Sequence, residues 1–276
     1  MVGTLVGPEV ERRIQEVVLT KQGVQGDRGR DRNPAGLPDP GEAISLDDQR
    51  QVIQILGQSV QGLWEVVNNL TRLRPTKRAE FRVTIFGSAR IPREHWVFGA
   101  VRDLAEELGR MGCGIVTGGG PGLMEAANEG AALAGPAAQR RSAGIRVHLP
   151  FEQEANPFVG QAYEHRTFFS RLHHFVLVSD AFIVVPGGIG TVLELTMIWQ
   201  LLQVRKLDQT PLVLIGPMWE EFIKWGQQYF LRPEFELAGP ADLKIPQWVE
   251  TAAEAVAIIR PHYEQWQRDL GSQGKP

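Results

Sequence analysis

Across 276 residues the chain carries a single cysteine, Cys113. One thiol excludes an intrachain disulfide framework and any cysteine-rich zinc site, and it fits a reducing, cytoplasmic setting. No apolar run approaches the ~20 residues needed to cross a bilayer. The start, MVGTLVGPEVERR, has no basic segment followed by a hydrophobic core, so the expectation is a protein that neither spans a membrane nor is exported. An excess of charge is also missing: Lys+Arg 29 against Asp+Glu 32 gives a net charge of -3. There is thus no global basic field to hold a nucleic acid or an anionic membrane. His173 and His174 are adjacent and would point to different faces of a helix, which makes a poor metal clip, and no metal is expected. What is present is ordinary. Hydrophobic residues at 43% and charged residues at 22% are the proportions of a globular domain, and the length suffices for a core without staples.

Residues 1–44 read as a flexible segment and linker, because 21–41, KQGVQGDRGRDRNPAGLPDPG, are dense in Gly, Pro, Asp and Arg and bury too little apolar surface to offset their ordering entropy. From Ser45 to Arg74 an amphipathic helix is expected: Leu46, Ile53, Leu56, Val60, Leu63, Val67 and Leu70 recur at helical steps, Ser45 with Asp48 has the form of a capping box, and Pro75 stops it. From there to about residue 270 short apolar runs alternate with helical patterns. Strands are expected at 81–86, 112–117, 145–149, 181–185 and 211–216. Helices are expected at 95–110, 123–134, 167–178, after the turn at 186–191, at 219–230 and at 247–268. Continuous apolar strands alternating with helices imply a parallel sheet covered on both faces, a Rossmann-like doubly wound α/β fold with an N-terminal helical extension.

Three of these strands end in glycine: FGSAR at 86, VTGGGPGLME at 116 and VVPGGIGTVLE at 184. In an open parallel sheet such ends flank the ligand crevice. Glycine lets successive N–H groups converge on an anion with a helix dipole behind them, so three such turns point to a phosphorylated ligand through Gly87, Gly118, Gly119, Gly120, Gly187, Gly188 and Gly190. The competing reading of any one turn is a tight strand-to-helix connection. None matches the dinucleotide fingerprint GxGxxG with its later acid, nor GxxxxGK[ST], which argues against a dinucleotide oxidoreductase and a P-loop nucleotidase. Glu194 is an odd choice beside a phosphate cradle. Facing the ligand, it would act on a sugar or a leaving base; otherwise it is an acid favoured by a helix N-terminus.

PGGIGTVLE, Pro186 to Glu194, resembles the PGGxGTxxE signature of the lonely guy family of phosphoribohydrolases, and TGGGPGLMEAANEG from Thr117 is similar to the second glycine segment of its bacterial members. Motif order and spacing carry the resemblance over roughly residues 81–230. It implies cleavage of the N-glycosidic bond of a purine or cytokinin-type nucleoside 5'-monophosphate to free base and ribose 5-phosphate. It also implies a homodimer with the active site near the subunit interface, and no cofactor. By residue it implies Arg171 and Glu194 as catalytic, with Gly187, Gly188, Gly190 and Thr191 around the phosphate. Ser88, the TGGG backbone and Asn128 would complete the pocket. Arg166 would be a reserve phosphate ligand, and Glu125 a second carboxylate or, preferably, a first-turn acid. Glu152, Asn156 and Phe158 lie in a loop at 150–165 whose side chains could reach the base. Leu172 stands where the family has lysine, and Leu193 where it has a first glutamate. Those two losses motivate the alternative of a non-catalytic carrier of a nucleotide or phosphorylated cofactor. The label "lysine decarboxylase" borne by many relatives is set aside, because no lysine lies in any of the three turns to form a Schiff base.

Overall fold

A computed structural model describes residues 52–53, 56–57, 79–147, 155–234 and 237–273. The chain divides into two units, Met1–Arg72 and Leu73–Pro276. The helix expected over 45–74 lies outside the described residues except at Val52, Ile53, Leu56 and Gly57, which are helical, and the linker expected over 1–44 lies wholly outside them.

The second unit runs β1 (Arg82–Phe86), α1 (Trp96–Met111), β2 (Gly114–Thr117), α2 (Leu123–Leu133), α3 (Pro136–Arg141), β3 (Ala143–Val147), β4 (Gln161–His165), α4 (Phe168–Val178), β5 (Ala181–Val184), α5 (Ile189–Gln203), β6 (Leu212–Ile215), α6 (Pro217–Phe230), a 3-10 turn (Asp242–Lys244), β7 (Gln247–Val249) and α7 (Ala252–Gln273). The seven strands form one sheet in the order β4-β3-β2-β1-β5-β6-β7, with every pairing parallel. This is the Rossmann-like α/β fold. The central strands are buried on both faces, so alternate residues serve different cores. Val83 and Ile85 of β1 join Ile115, Ile183, Leu104, Leu108, Leu123 and Ile259 in one cluster. Phe86, Phe182, Val184 and Leu214 pack with Phe175, Leu195, Ile198 and Trp219 in the other. Helices α1, α2 and α7 thereby cover one face and α4, α5 and α6 the opposite one. Each fully buried large side chain contributes roughly 1.5–3 kcal/mol of transfer free energy.

The chain winds outward from β1 to β4, returns to the centre at β5, and winds the other way to β7. The switch point therefore lies between β1 and β5, whose ends are level, Phe86 opposite Val184. The turns after β1 and β5 both open there, with that of β2 beside them.

Several segments differ from what the sequence suggests, among them the short helix α3, which the sequence reading does not include. Strand β3 starts at Ala143, earlier than Ile145: Ala143 and Gly144 carry little strand propensity, yet they are buried and pair with Val116 and Thr117 of β2; His148 and Leu149 lie outside the described residues. Strand β4, QAYEH, occupies the end of the expected 150–165 loop: as a polar, exposed edge strand it lacks the apolar signal of its neighbours. The closing helix begins at Ala252, and Gln247–Val249 is instead a short edge strand. A capping box marks that start, since the Glu254 amide donates to Thr251 Oγ1 (3.2 Å) and the Thr251 amide donates to Glu254 Oε2 (2.9 Å). Among the described residues no helix is long and apolar enough to cross a membrane.

Candidate active site

The sequence treats the three glycine turns alike, and the structure separates them. After β1, Gly87 is glycine for packing: a Cβ there would come within 2.5 Å of Val185 Cγ2 and 3.0 Å of Leu123 Cβ. Ser88 then bridges the neighbouring turns, its amide donating to Pro186 O (3.0 Å) and its carbonyl accepting from the Leu123 amide (2.9 Å). Its hydroxyl accepts from the Arg90 amide (3.0 Å).

The turn after β2 is closed. Gly119 and Gly122 have positive φ, 73° and 67°, and a Cβ on Gly122 would lie 2.5 Å from Ser88 O. Gly118 and Gly119 are buried. Gly119 lies across Gly144 of β3, where a Cβ on Gly144 would come within 2.8 Å of the Gly119 Cα. Beneath this turn Asn128 is fully buried: Nδ2 donates to Ser142 Oγ (2.7 Å), and Oδ1 accepts from Thr117 Oγ1 (2.7 Å) and Asn156 Nδ2 (3.0 Å). With these bonds inside the protein, Asn128 supports the turn.

The turn after β5 is open. Gly188, Ile189 and Gly190 are exposed, and a Cβ at Gly188 or Gly190 would meet nothing within 4 Å. Gly188 is the N-cap of α5 and offers no side-chain cap. The first amides of a 15-residue helix therefore have no side-chain cap, the arrangement that can receive an anion. Only Gly187 is constrained, because a Cβ would run into Thr191, which is itself buried.

The two side chains named as catalytic meet at this opening. Arg171 projects from α4, whose start is fixed by Thr167 Oγ1 accepting from the Ser170 amide (3.1 Å). Its Nε donates to Ile145 O (2.8 Å), its guanidinium lies 5.3 Å from the centroid of Phe175, and Nη1 stands 3.3 Å from Glu194 Oε1. Nη2 presses on Gly118, where any Cβ would collide with it. Glu194 projects from the first turns of α5 and is 8% exposed. Burial pushes its carboxyl up from 4.5 to about 7, against the opposing pull of the Arg171 charge. A buried carboxyl poised near neutrality, held by a fixed guanidinium at the mouth of an anion-receptive helix end, can stabilise developing positive charge or exchange a proton.

The lesser candidates take different places. Glu125 is ion-paired with Arg93, which also holds Glu129 (2.7 Å), so it is a clamped first-turn acid of α2. Arg166 is exposed at the carboxyl end of β4, on the ligand edge of the sheet. Phe158 packs near the Arg93 guanidinium, 6.0 Å from it to the ring centroid; Glu152 lies outside the described residues. Two features escape sequence reasoning. One is the role of Asn156, which as a loop residue is expected to reach the base and instead binds the closed turn with both backbone and side chain. The other is His165, whose Nε2 lies 2.9 Å from His174 Nδ1 and whose basicity is lowered by burial and by Arg171. His174, pushed down to about 4 by burial first and His165 next, is uncharged beside it. The signal for that pair is spatial: β4 is polar and exposed, so the residue order gives His165 no position beside His174.

A family model described as "possible lysine decarboxylase" matches residues 124–259. A pyrimidine/purine nucleotide 5'-monophosphate nucleosidase of Escherichia coli K12 is 32% identical over 142 residues, covering 49% of this chain and 31% of that protein. The chain thus spans about a third of the length of the curated relatives it matches. Among solved structures it is similar to a molybdenum cofactor carrier protein of Chlamydomonas reinhardtii, at 18% identity and a TM-score of 0.48, over 67% of this chain and 99% of the other. It is also similar to a molybdenum cofactor binding protein of Rippkaea orientalis, at 17% identity and a TM-score of 0.48, over 67% and 97%. The site does not fit the chemistry in the family description, since amino-acid decarboxylation through an imine requires a lysine amine, and the cations that the described residues place around this site, Arg146, Arg166 and Arg171 among them, are guanidiniums. The matched segment carries the PGGIGTVLE turn together with the Arg171–Glu194 pair, and the family match and the Escherichia coli relative together support the lonely guy family for it.

Proposed function

We propose that this domain hydrolyses the N-glycosidic bond of a nucleoside 5'-monophosphate bearing a purine or purine-like base, releasing the base and ribose 5-phosphate. The observation that carries this is the 3.3 Å Arg171–Glu194 pair standing beside the open, uncapped start of α5. The name of the Escherichia coli relative supports the same class of reaction.

In this reading the 5'-phosphate rests on the amides from Gly188 to Thr191, where the α5 dipole favours an anion, with Arg171 as a fixed, planar cation beside it. The sugar then lies over Glu194. As the bond from C1' to the base nitrogen breaks, its electron pair leaves with the base and C1' becomes oxocarbenium-like. The Glu194 carboxylate stabilises that charge and takes a proton from the water whose oxygen bonds to C1', and the departing base is protonated in its turn. A value near 7 suits a group that must accept a proton and give it up again. Exposed Ile189 and Leu193 stand beside the opening and supply an apolar face for a second copy, consistent with a homodimer whose active site lies near the interface.

The test is incubation of the full chain with a panel of nucleoside 5'-monophosphates, with free base and ribose 5-phosphate measured by chromatography. Equimolar release of both is expected. Thermal stabilisation by nucleotides without any release would favour the carrier reading, which rests on the uncharged Leu172 and Leu193 flanking the pair.

A further inference from the structure

The closed turn raises a question that the proposed reaction does not answer: what keeps a run of four small residues, Gly118 to Pro121, in one conformation against the Arg171 guanidinium? Glycine backbones lose the most freedom on ordering, and nothing in the turn's own side chains can hold it. The restraint comes from outside, from Asn156. This residue is 7% exposed, in the segment leading to β4. Its amide donates to Gly119 O (3.0 Å), its Nδ2 donates to Gly120 O (3.0 Å) and to Asn128 Oδ1 (3.0 Å), and its Oδ1 accepts from the Phe158 amide (3.2 Å).

These bonds fix two successive peptide planes. The peptides are trans, so anchoring Gly119 O on Asn156 turns the Gly120 N–H the opposite way. The next carbonyl, Gly120 O, belongs to a peptide that has no N–H, because Pro121 follows. The Gly119 amide is already spent on Thr117 Oγ1 (2.9 Å). The turn is thereby locked from Thr117 to Pro121, and its first glycine, Gly118, is held as the surface on which Nη2 of Arg171 rests. Asn128 lies below, accepting from Thr117 and Asn156 and donating to Ser142, and neither glycine carbonyl bonds to it.

We infer that Asn156 is a positioning residue of the active site, pinning the Gly119 and Gly120 carbonyls so that the closed turn holds Arg171 in register with Glu194 and the sugar-phosphate. This role rests on the phosphoribohydrolase reading. It acts through the donor at Nδ2, which has a specific chemical consequence: Asn156→Asp keeps the size and the acceptor for Phe158 but sets an oxygen against two acceptors, Gly120 O and Asn128 Oδ1. Ser142→Ala is the matched control. It removes one bond from the same buried network (2.7 Å, from Asn128) without touching either glycine carbonyl.

The experiment measures, on the full chain, thermal unfolding and the calorimetric affinity for ribose 5-phosphate, at a temperature well below the lowest Tm, for the wild type, Asn156→Asp, Asn156→Ser and Ser142→Ala. Asn156→Asp is expected to weaken ribose 5-phosphate binding about ten-fold or more, and Asn156→Ser less, on the strength of one to two lost hydrogen bonds. Ser142→Ala should lower Tm and bind as the wild type does. Wild-type affinity in folded Asn156→Asp and Asn156→Ser would overturn the role and leave the proposed reaction standing. Failure of the wild type to bind ribose 5-phosphate would overturn the reaction and the role together. If both Asn156 variants are unfolded at the assay temperature, Asn156 is a determinant of the fold and the positioning role is lost.

Discussion

Two glycine turns lie at the same edge of one sheet, and they use glycine for opposite reasons. At 117–122 the lack of side chains lets backbone meet backbone: Gly122 against Ser88, Gly119 against Gly144, Gly118 against a guanidinium. At 186–191 it leaves space empty, so that a Cβ on Gly188 or Gly190 would touch nothing. The first turn is a part of the wall and the second an open mouth. A glycine count cannot separate them, because both obey the same requirement for a tight strand-to-helix connection, and only the neighbours decide whether the vacated volume is filled by protein or offered to a ligand.

The sharpest way to break the comparison is at the chemistry the open turn serves. Glu194→Gln is expected to keep nucleotide affinity within a few-fold while lowering kcat by about 10²–10⁴, the range for a positioned acid–base or charge-stabilising group. Single-turnover assays of base release beside a binding titration check it, and unchanged kcat would remove Glu194 from the reaction. Next in size, Gly122→Ala in the closed turn combines a φ of 67° with a Cβ set 2.5 Å from a carbonyl oxygen. It should cost about 2–4 kcal/mol in urea unfolding.

A smaller effect links the site to stability. The Glu194 carboxyl lies at about 7 in the folded chain against 4.5 ordinarily. The folded state therefore holds a proton that the unfolded state releases, and its benefit is full below about 4.5 and lost as pH rises through about 7. Glu194→Gln does not titrate. Its stability relative to the wild type should rise by roughly 1–3 kcal/mol between pH 4.5 and 7.5, and unfolding curves at several pH values read this directly. A gap independent of pH would mean that the carboxyl is not shifted. The smallest effect sharpens the contrast from the other side: Gly190→Ala has room and needs no positive φ, so its stability should stay within about 0.5 kcal/mol of the wild type, whereas its affinity for the nucleotide phosphate should fall. A loss of stability matching that of Gly122→Ala would erase the distinction between the turns.

Much of this was legible in the residue order. The apolar runs at 81–86, 181–185 and 211–216 have no polar face to give to water, which requires a sheet covered on both sides, and the structure has that sheet. PGGIGTVLE drew attention to Glu194, and the spacing within the family resemblance to Arg171; the structure brings the two together. What escaped were elements whose signal is weak or shared. Strand β4 is polar and exposed because it is an edge, so it reads as loop, and with it went the position of His165. Asparagine near a glycine turn is ambiguous between ligand and scaffold, and the three buried side-chain partners of Asn128 are contacts that the residue order does not show. Asn156 was visible only as one polar residue among several in a loop.

The spatial core of the account is that a nucleotide sits with its phosphate on the open turn and its anomeric carbon over Glu194. A crystal structure of the Glu194→Gln protein with an unhydrolysed nucleoside 5'-monophosphate tests this most directly. Phosphate oxygens are expected within hydrogen-bonding distance of amides between Gly188 and Thr191, with the sugar C1' beside the residue 194 carboxamide and Arg171. A nucleotide bound with its phosphate away from that turn, or with C1' out of reach of residue 194, would contradict it.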